Sequence, residues 1–237
     1  MKNLIITTAA LALTAGMAMA GTIRMGTEGA YPPYNFINDS GEVDGFEREL
    51  GDELCKRAEL TCEWVTNEWD SIIPNLVSGN YDTIIAGMSI TAEREEVIDF
   101  TQNYTQPDPS AYLAMSEDVD LKGAVIAAQT GTIQAAFVAA SGATLVEFAT
   151  PDETIAAVRN GEADAVLADK TYLAPIADED ADLMLLSQEE LIGGGVGMGI
   201  RESDGELKAK FDAAIQSMKD DGSLNALIEK WEIGATF

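Results

Sequence analysis

The chain has 237 residues, 46% hydrophobic and 23% charged, an ordinary globular composition with room for one large or two modest domains around a real core. Asp and Glu number 41 against 14 Lys and Arg, a formal net charge of −27 that repels phosphate backbones and anionic headgroups and argues against nucleic acid as a partner. The chain has no histidine, which excludes Ser-His-Asp and Cys-His catalysis, His-ligated metals and His-based pH switching.

Residues 1–20 read as a secretory leader. Lys2 is its basic start, Leu4 to Ala15 its apolar run, and Ala18-Met19-Ala20 its small-x-small cleavage site. The apolar run is too short for a comfortable membrane span. An exported chain occupies a compartment where disulfides persist, so Cys55 and Cys62, seven apart, predict one structural disulfide; two free buried thiols are the alternative.

Thr22 to Thr27 alternates apolar and polar residues as a strand does. Glu28 to Tyr34 is a Gly/Pro loop and Asn38 to Gly41 a turn, before a helix of roughly Phe46 to Ala58. A strand at Glu63 to Thr66, a helix at Trp69 to Ser78, an apolar strand at Tyr81 to Ala86 and a helical turn at Thr91 to Val97 follow. The alternation repeats: strands at 124–128, 145–148 and 164–168, helices at 132–140 and 152–160, then a strand candidate at 183–186. The Gly-rich stretch 193–200 reads as a strand emerging from a flexible crossing, and helices at 203–220 and 223–231 close the chain. The class is α/β, with parallel strands covered by helices. Two such units invite a cleft, and ligands of open α/β sheets sit beyond the carboxyl ends of the strands. The residues just past those ends are Glu28, Tyr31, Trp69, Gly87, Ser89, Thr130 to Gln134 and Asp169.

Arg94 is predicted in a first helical turn, with Thr91 as N-cap. The helix dipole opposes a cation there unless an anion answers it, and a guanidinium suits a carboxylate in a bidentate fork. That anion is either a ligand or a neighbour: Glu93, Glu95 or Asp99. Asp169 closes an apolar strand, where it either holds an ammonium group or caps the following helix at Thr171-Tyr172. The loop Gln129 to Gln134 offers backbone N–H groups and a hydroxyl at a helix start, a natural anion cradle that lacks the lysine of a nucleotide loop. Tyr31, Tyr34 and Trp69 are either core aromatics or walls of a ligand site.

The ordered set of motifs resembles a known family. It comprises Ile-Arg-Met-Gly-Thr-Glu-Gly-Ala-Tyr-Pro-Pro-Tyr at 23–34, Gly-Phe-Glu-Arg-Glu-Leu at 45–50, Glu-Leu-Cys-Lys-Arg at 53–57 and Trp-Asp-Ser-Ile-Ile-Pro-Asn-Leu at 69–76. Tyr-Asp-Thr-Ile-Ile-Ala-Gly-Met-Ser-Ile-Thr-Ala-Glu-Arg at 81–94, Gln-Thr-Gly-Thr-Ile-Gln at 129–134, Gly-Glu-Ala-Asp-Ala-Val-Leu-Ala-Asp at 161–169 and Gly-Met-Gly-Ile-Arg at 197–201 complete it. The chain is similar to the family 3 periplasmic solute-binding proteins of polar amino-acid ABC transporters, the lysine/arginine/ornithine and histidine group with its octopine-binding relatives.

The resemblance implies a type II periplasmic binding protein fold, two lobes of mixed sheet flanked by helices with the ligand between them. Residues 21–107 with 196–237 would form lobe 1 and 108–195 lobe 2. Arg94 would bind the ligand's α-carboxylate with Ser89 and Thr132, and Asp169 its α-ammonium with the Gly87 carbonyl. Tyr31 and Trp69 would sandwich the side chain, Glu28 would face its far end, and Gln134 would lie at the pocket edge. Cys55 and Cys62 match the family's disulfide. The implied protein is a periplasmic monomer that delivers an amino acid to membrane permease subunits, needs no cofactor or metal and is not an enzyme. Ala86, Gly87 and Ile133 stand where relatives have hydroxyl residues, and Glu28 is longer than the usual Asp.

A carboxylate flanked by two aromatic rings favours a cationic tip, so a basic L-amino acid is expected, arginine first. An opine or a neutral polar amino acid is the alternative, as is a periplasmic cyclohexadienyl or arogenate dehydratase, because one fold hosts both kinds of activity. A receptor sensor domain is a third class. The end of the chain at Phe237, without a further domain, leads to the expectation of a freely diffusing protein.

Overall fold

The computed structural model describes residues 21–237; the expected leader, 1–20, lies outside the described residues. In chain order the elements are β1 (Ile23–Thr27), β2 (Ala30–Tyr31), β3 (Asn35–Ile37), β4 (Val43–Asp44), α1 (Phe46–Arg57), β5 (Cys62–Thr66), α2 (Ile72–Val77), β6 (Thr83–Ile84), β7 (Asp99–Phe100) and β8 (Ser110–Ala114). Then come β9 (Val125–Gln129), α3 (Ile133–Ser141), β10 (Thr144–Phe148), α4 (Pro151–Arg159), β11 (Ala165–Asp169), α5 (Lys170–Glu179), β12 (Met184–Glu190), β13 (Gly199–Ile200), α6 (Gly205–Asp220) and α7 (Ser223–Lys230).

The strands form two five-stranded sheets, ordered β5-β1-β6-β13-β7 and β10-β9-β11-β8-β12, and a small three-stranded sheet, β2-β3-β4. In each large sheet the first three strands run parallel and the last two join antiparallel. The sheets are therefore mixed. The chain crosses from the first to the second after β7 and returns before β13, and the two crossings are bonded to each other. The N–H groups of Thr101 and Tyr104 donate to the carbonyls of Met198 (3.0 Å) and Val196 (2.8 Å). Those of Val196 and Met198 donate to the hydroxyls of Thr105 (3.1 Å) and Thr101 (3.0 Å).

Helix α1 shows how patterning sets the core. Phe46, Leu50, Leu54 and Cys55 recur at helical spacing and are buried against Met25, while Glu49 near the start and Lys56 and Arg57 near the end suit the helix dipole. Cys55 and Cys62 form the expected disulfide, which joins the end of α1 to the start of β5.

The structure corrects several expectations. The stretch 28–34 is not all loop, because Ala30–Tyr31 pairs with Asn35–Ile37. The apolar run 81–86 holds only the two-residue strand β6; its hydrophobicity reflects burial on both sides, not ladder length. The helical turn at 91–97 is a single 3-10 turn, Arg94–Glu96, although the Thr91 hydroxyl does accept the Arg94 N–H at 3.2 Å. Strands β7 and β8 had no sequence signal, since Ser-Ala-Tyr-Leu-Ala, buried throughout, carries no alternation.

Candidate functional site

All nine residues expected to face a ligand line one cavity: Glu28, Tyr31, Trp69, Gly87, Ser89, Arg94, Thr132, Gln134 and Asp169. Ala86, Gln129 and Ile133 complete it, around about 350 Å³ of space free of atoms, part of it open to solvent. Glu28 follows β1, Gly87 and Ser89 follow β6, Gln129 ends β9, Thr132 caps α3 and Asp169 ends β11. The cavity thus collects the carboxyl ends of strands from both sheets.

Arg94 is partly buried. Its guanidinium donates to the Ser89 carbonyl at 2.8 Å and to the Gly131 carbonyl at 3.5 Å, and lies 5.5 Å from the centre of the Trp69 ring. Among the described residues it takes part in no ion pair, so it does not pair locally with Glu93, Glu95 or Asp99. Burial lowers its pKa to about 10, opposed by the nearby charges of Asp169 and Glu93.

Asp169 stands at the N-cap of α5 but makes no capping bond with its side chain. The carboxylate instead accepts the Tyr31 hydroxyl at 2.9 Å and the Gln134 amide at 2.9 Å. Burial raises its pKa to about 6, and the hydrogen bond from Tyr31 opposes the rise. Gln134 is buried and also donates to the Ser110 hydroxyl at 3.0 Å, so it orients Asp169 rather than sitting at an edge.

Glu28 is partly buried, and among the described residues its carboxylate accepts only the Gln129 amide, at 2.5 Å. Burial raises its pKa to about 7, helped by the charges of Glu68 and Asp152. Acidic neighbours raise both carboxylates, Glu68 and Asp152 at Glu28 and Asp108 at Asp169, and Arg94 lowers Asp169 alone.

The aromatic residues divide. Tyr31 lines the cavity with its ring stacked on Tyr172, centroids 4.4 Å apart. Trp69 opens a 3-10 turn, Trp69–Ser71, and lines the cavity as well. Tyr34 is a core residue, edge-on to Phe46 at 6.2 Å. The Thr132 hydroxyl donates to the Gln129 carbonyl at 2.7 Å and accepts the Ala135 N–H at 3.1 Å. Its proton is thus committed to the loop.

Sequence reasoning missed two residues. Gln129 heads the quoted Gln-Thr-Gly-Thr-Ile-Gln motif and holds Glu28. Glu47 is fully buried and accepts the Asn35 amide (2.7 Å), the Gly87 N–H (2.7 Å) and the Tyr104 hydroxyl. It fixes Gly87 at φ +62°, a conformation that a side chain would disfavour. The available signal was a charge on the apolar stripe of α1, in line with Leu50 and Leu54.

The cavity gathers one guanidinium and two carboxylates with no ion-pair partners among the described residues, a charge set suited to a small zwitterion. Comparisons with known proteins agree in kind. A crystal structure described as a periplasmic His/Glu/Gln/Arg/opine family-binding protein from Silicibacter pomeroyi, in complex with lysine, superposes with a TM-score of 0.89 at 73% identity, covering 91% of this chain and all of that one. The octopine-binding periplasmic protein of Rhizobium meliloti is 31% identical across 94% of this chain and 95% of its own. The lysine/arginine/ornithine-binding periplasmic protein of Escherichia coli (strain K12) is 29% identical across 90% of this chain and 88% of its own. The family model matches residues 23–235, nearly the whole of both sheets and the cavity between them, and the chain belongs to the bacterial extracellular solute-binding proteins, family 3.

Proposed function

We propose that the protein is a periplasmic binding protein that captures a basic L-amino acid and delivers it to the membrane permease subunits of an ABC importer. The observation that carries the reading is the set of unpaired charges. A basic amino acid presents one carboxylate and two cations, the complement of Arg94, Asp169 and Glu28. Arg94 takes the α-carboxylate beside Ser89 and the start of α3. Asp169, held by Tyr31 and Gln134, takes the α-ammonium with the Gly87 carbonyl. The side chain runs between Tyr31 and Trp69 to Glu28, whose acidic neighbours Glu68 and Asp152 deepen the well for a cation. A guanidinium suits that carboxylate and those rings, and the lysine complex of the Silicibacter pomeroyi relative sets lysine beside arginine as a ligand to test.

Residues 21–107 with 196–237 and residues 108–195 form the two lobes, which close on ligand by a hinge motion about the crossings. The protein works as a monomer and is not an enzyme. A dehydratase on this fold needs a general acid over a substrate without an ammonium group, whereas Asp169 is held as an acceptor facing the cavity.

The test is a thermal-shift screen of ligand-stripped protein against arginine, lysine, glutamine and prephenate. A ligand at 100 times its Kd stabilises the fold by about 2.7 kcal/mol. Arginine or lysine should give the large shift, and Glu28→Gln should weaken arginine far more than glutamine. A response to neutral amino acids alone would remove Glu28 from charge recognition, and turnover of prephenate would overturn the transport reading.

A further inference from the structure

A second cavity abuts the first at Glu28. It is an open surface groove, lined by Glu28 itself together with Ala30, Ile37, Thr66, Glu68 and Thr150. Glu28 is the one residue that lines both, and the next residue, Gly29 at φ +75°, packs against the groove: a Cβ there would stand 3.0 Å from Ile37 Cδ1 and 3.6 Å from Thr66 Cγ2. The Glu28 carboxylate is tied by a single side-chain hydrogen bond, to Gln129, so turning it aside requires breaking one contact. Beyond it the groove offers the Glu68 carboxylate and the Ile37 side chain, 44% exposed, as surface for an alkyl tail.

Around Asp169 the site is closed. Both Asp169 oxygens are already engaged, by Tyr31 and Gln134, and Tyr31 is backed by the Tyr172 ring. Extra bulk on a ligand's α-nitrogen meets that wall, while extra bulk on its side-chain nitrogen meets the groove.

We propose that the ligand range extends to basic L-amino acids alkylated on the side-chain nitrogen with the positive charge retained, the tail passing Glu28 into the outer groove. The proposal rests on the amino-acid reading above, because Arg94 and Asp169 must still hold the α-groups.

Isothermal titration of the purified protein with L-arginine, Nω-propyl-L-arginine and Nα-methyl-L-arginine tests it. The propyl compound should bind within about tenfold of arginine, and the Nα-methyl compound at least about a hundredfold more weakly. Ile37→Trp, which fills the groove without touching the inner cavity, should weaken the propyl compound by about tenfold or more and leave arginine unchanged. Normal arginine binding with loss of the propyl compound overturns the proposal and leaves the amino-acid reading intact. So does propyl binding that is indifferent to Ile37→Trp, or equal tolerance at both ends. Failure of arginine and lysine alike would overturn the amino-acid reading itself.

Discussion

The two large sheets share one topology and are held by different means. In the second sheet, β8 and β11 have five residues each and β12 has seven, so the backbone ladder itself holds the antiparallel edge. In the first sheet, β6, β13 and β7 have two residues each. Side chains supply what that ladder lacks. Asp82 accepts from the Arg24 guanidinium at 3.0 Å and from Arg201 at 3.1 Å, and Arg201 also donates to the carbonyls of Leu76 and Tyr81. The ion pairs of the second lobe lie outside. Lys170 and Glu189 are 42% and 40% exposed, against 22% and 18% for Arg201 and Asp82. Short strands leave more chain in loops, and the stretch from Glu28 to Arg94 accordingly supplies seven of the cavity's twelve residues. A lobe that spends its chain on binding loops needs charged pins to keep its sheet.

Arg94→Ala carries the largest expected effect on that division. It should cost about 2–5 kcal/mol of amino-acid affinity, because a bound carboxylate is then buried without its partner. Ligand-free stability should barely change, since Arg94 pins nothing in the sheet. Unchanged affinity in calorimetry would remove Arg94 from the site.

Asp82→Ala comes next. It leaves Arg24 without a carboxylate and Arg201 with Asp204 alone, for a loss of about 1–3 kcal/mol in urea unfolding. Glu189→Ala, its counterpart in the second lobe, should cost no more than about 1 kcal/mol. Equal losses would break the comparison between the lobes.

The smallest effect is on pH. Burial holds Glu28 at about 7 and Asp169 at about 6, both above their ordinary values. The ligand-free folded state therefore keeps protons that the unfolded chain releases. These two groups favour the folded state most at acidic pH, and that contribution falls as pH rises from about 4 to about 7, then levels off. Binding of a cation runs the other way, because it needs the ionised carboxylates. Arginine affinity should weaken by about tenfold from pH 8 to pH 6 through Glu28, whose pKa is about 7. Titration in buffers of different ionisation enthalpy should show proton release, and Glu28→Gln should abolish that upper step while leaving the one due to Asp169. A flat affinity profile for the native protein would show that neither carboxylate ionises on binding.

The local elements were legible where one signal dominates. The stripe of α1, the capping of α3 by Thr132 and the alternation of β1 are written in neighbouring residues, and each formed within a residue or two of its expected place. The cavity lining was legible through four of the ordered motifs, 23–34, 81–94, 129–134 and 161–169, each of which contains the carboxyl end of a strand, where an α/β sheet leaves side chains free. The sequence by itself also determined the excess of acid and the lack of histidine, and with them the chemistry that the site cannot use.

Only the tertiary structure decided which side chains in those motifs are spent on the protein itself. Tyr31 and Tyr34 are three residues apart, yet one faces the cavity and the other packs on Phe46, because Tyr31 is held in β2 while Tyr34 lies in the turn between β2 and β3. Asp169 could cap α5 by its position; Tyr31 and Gln134, distant in sequence, turn it into the cavity. Glu47 lies on an apolar stripe, and its three donors come from β3, the loop after β6 and the first crossing. A buried charge is stable only when its partners converge, and that convergence comes from packing between elements far apart in the chain, which no local pattern records.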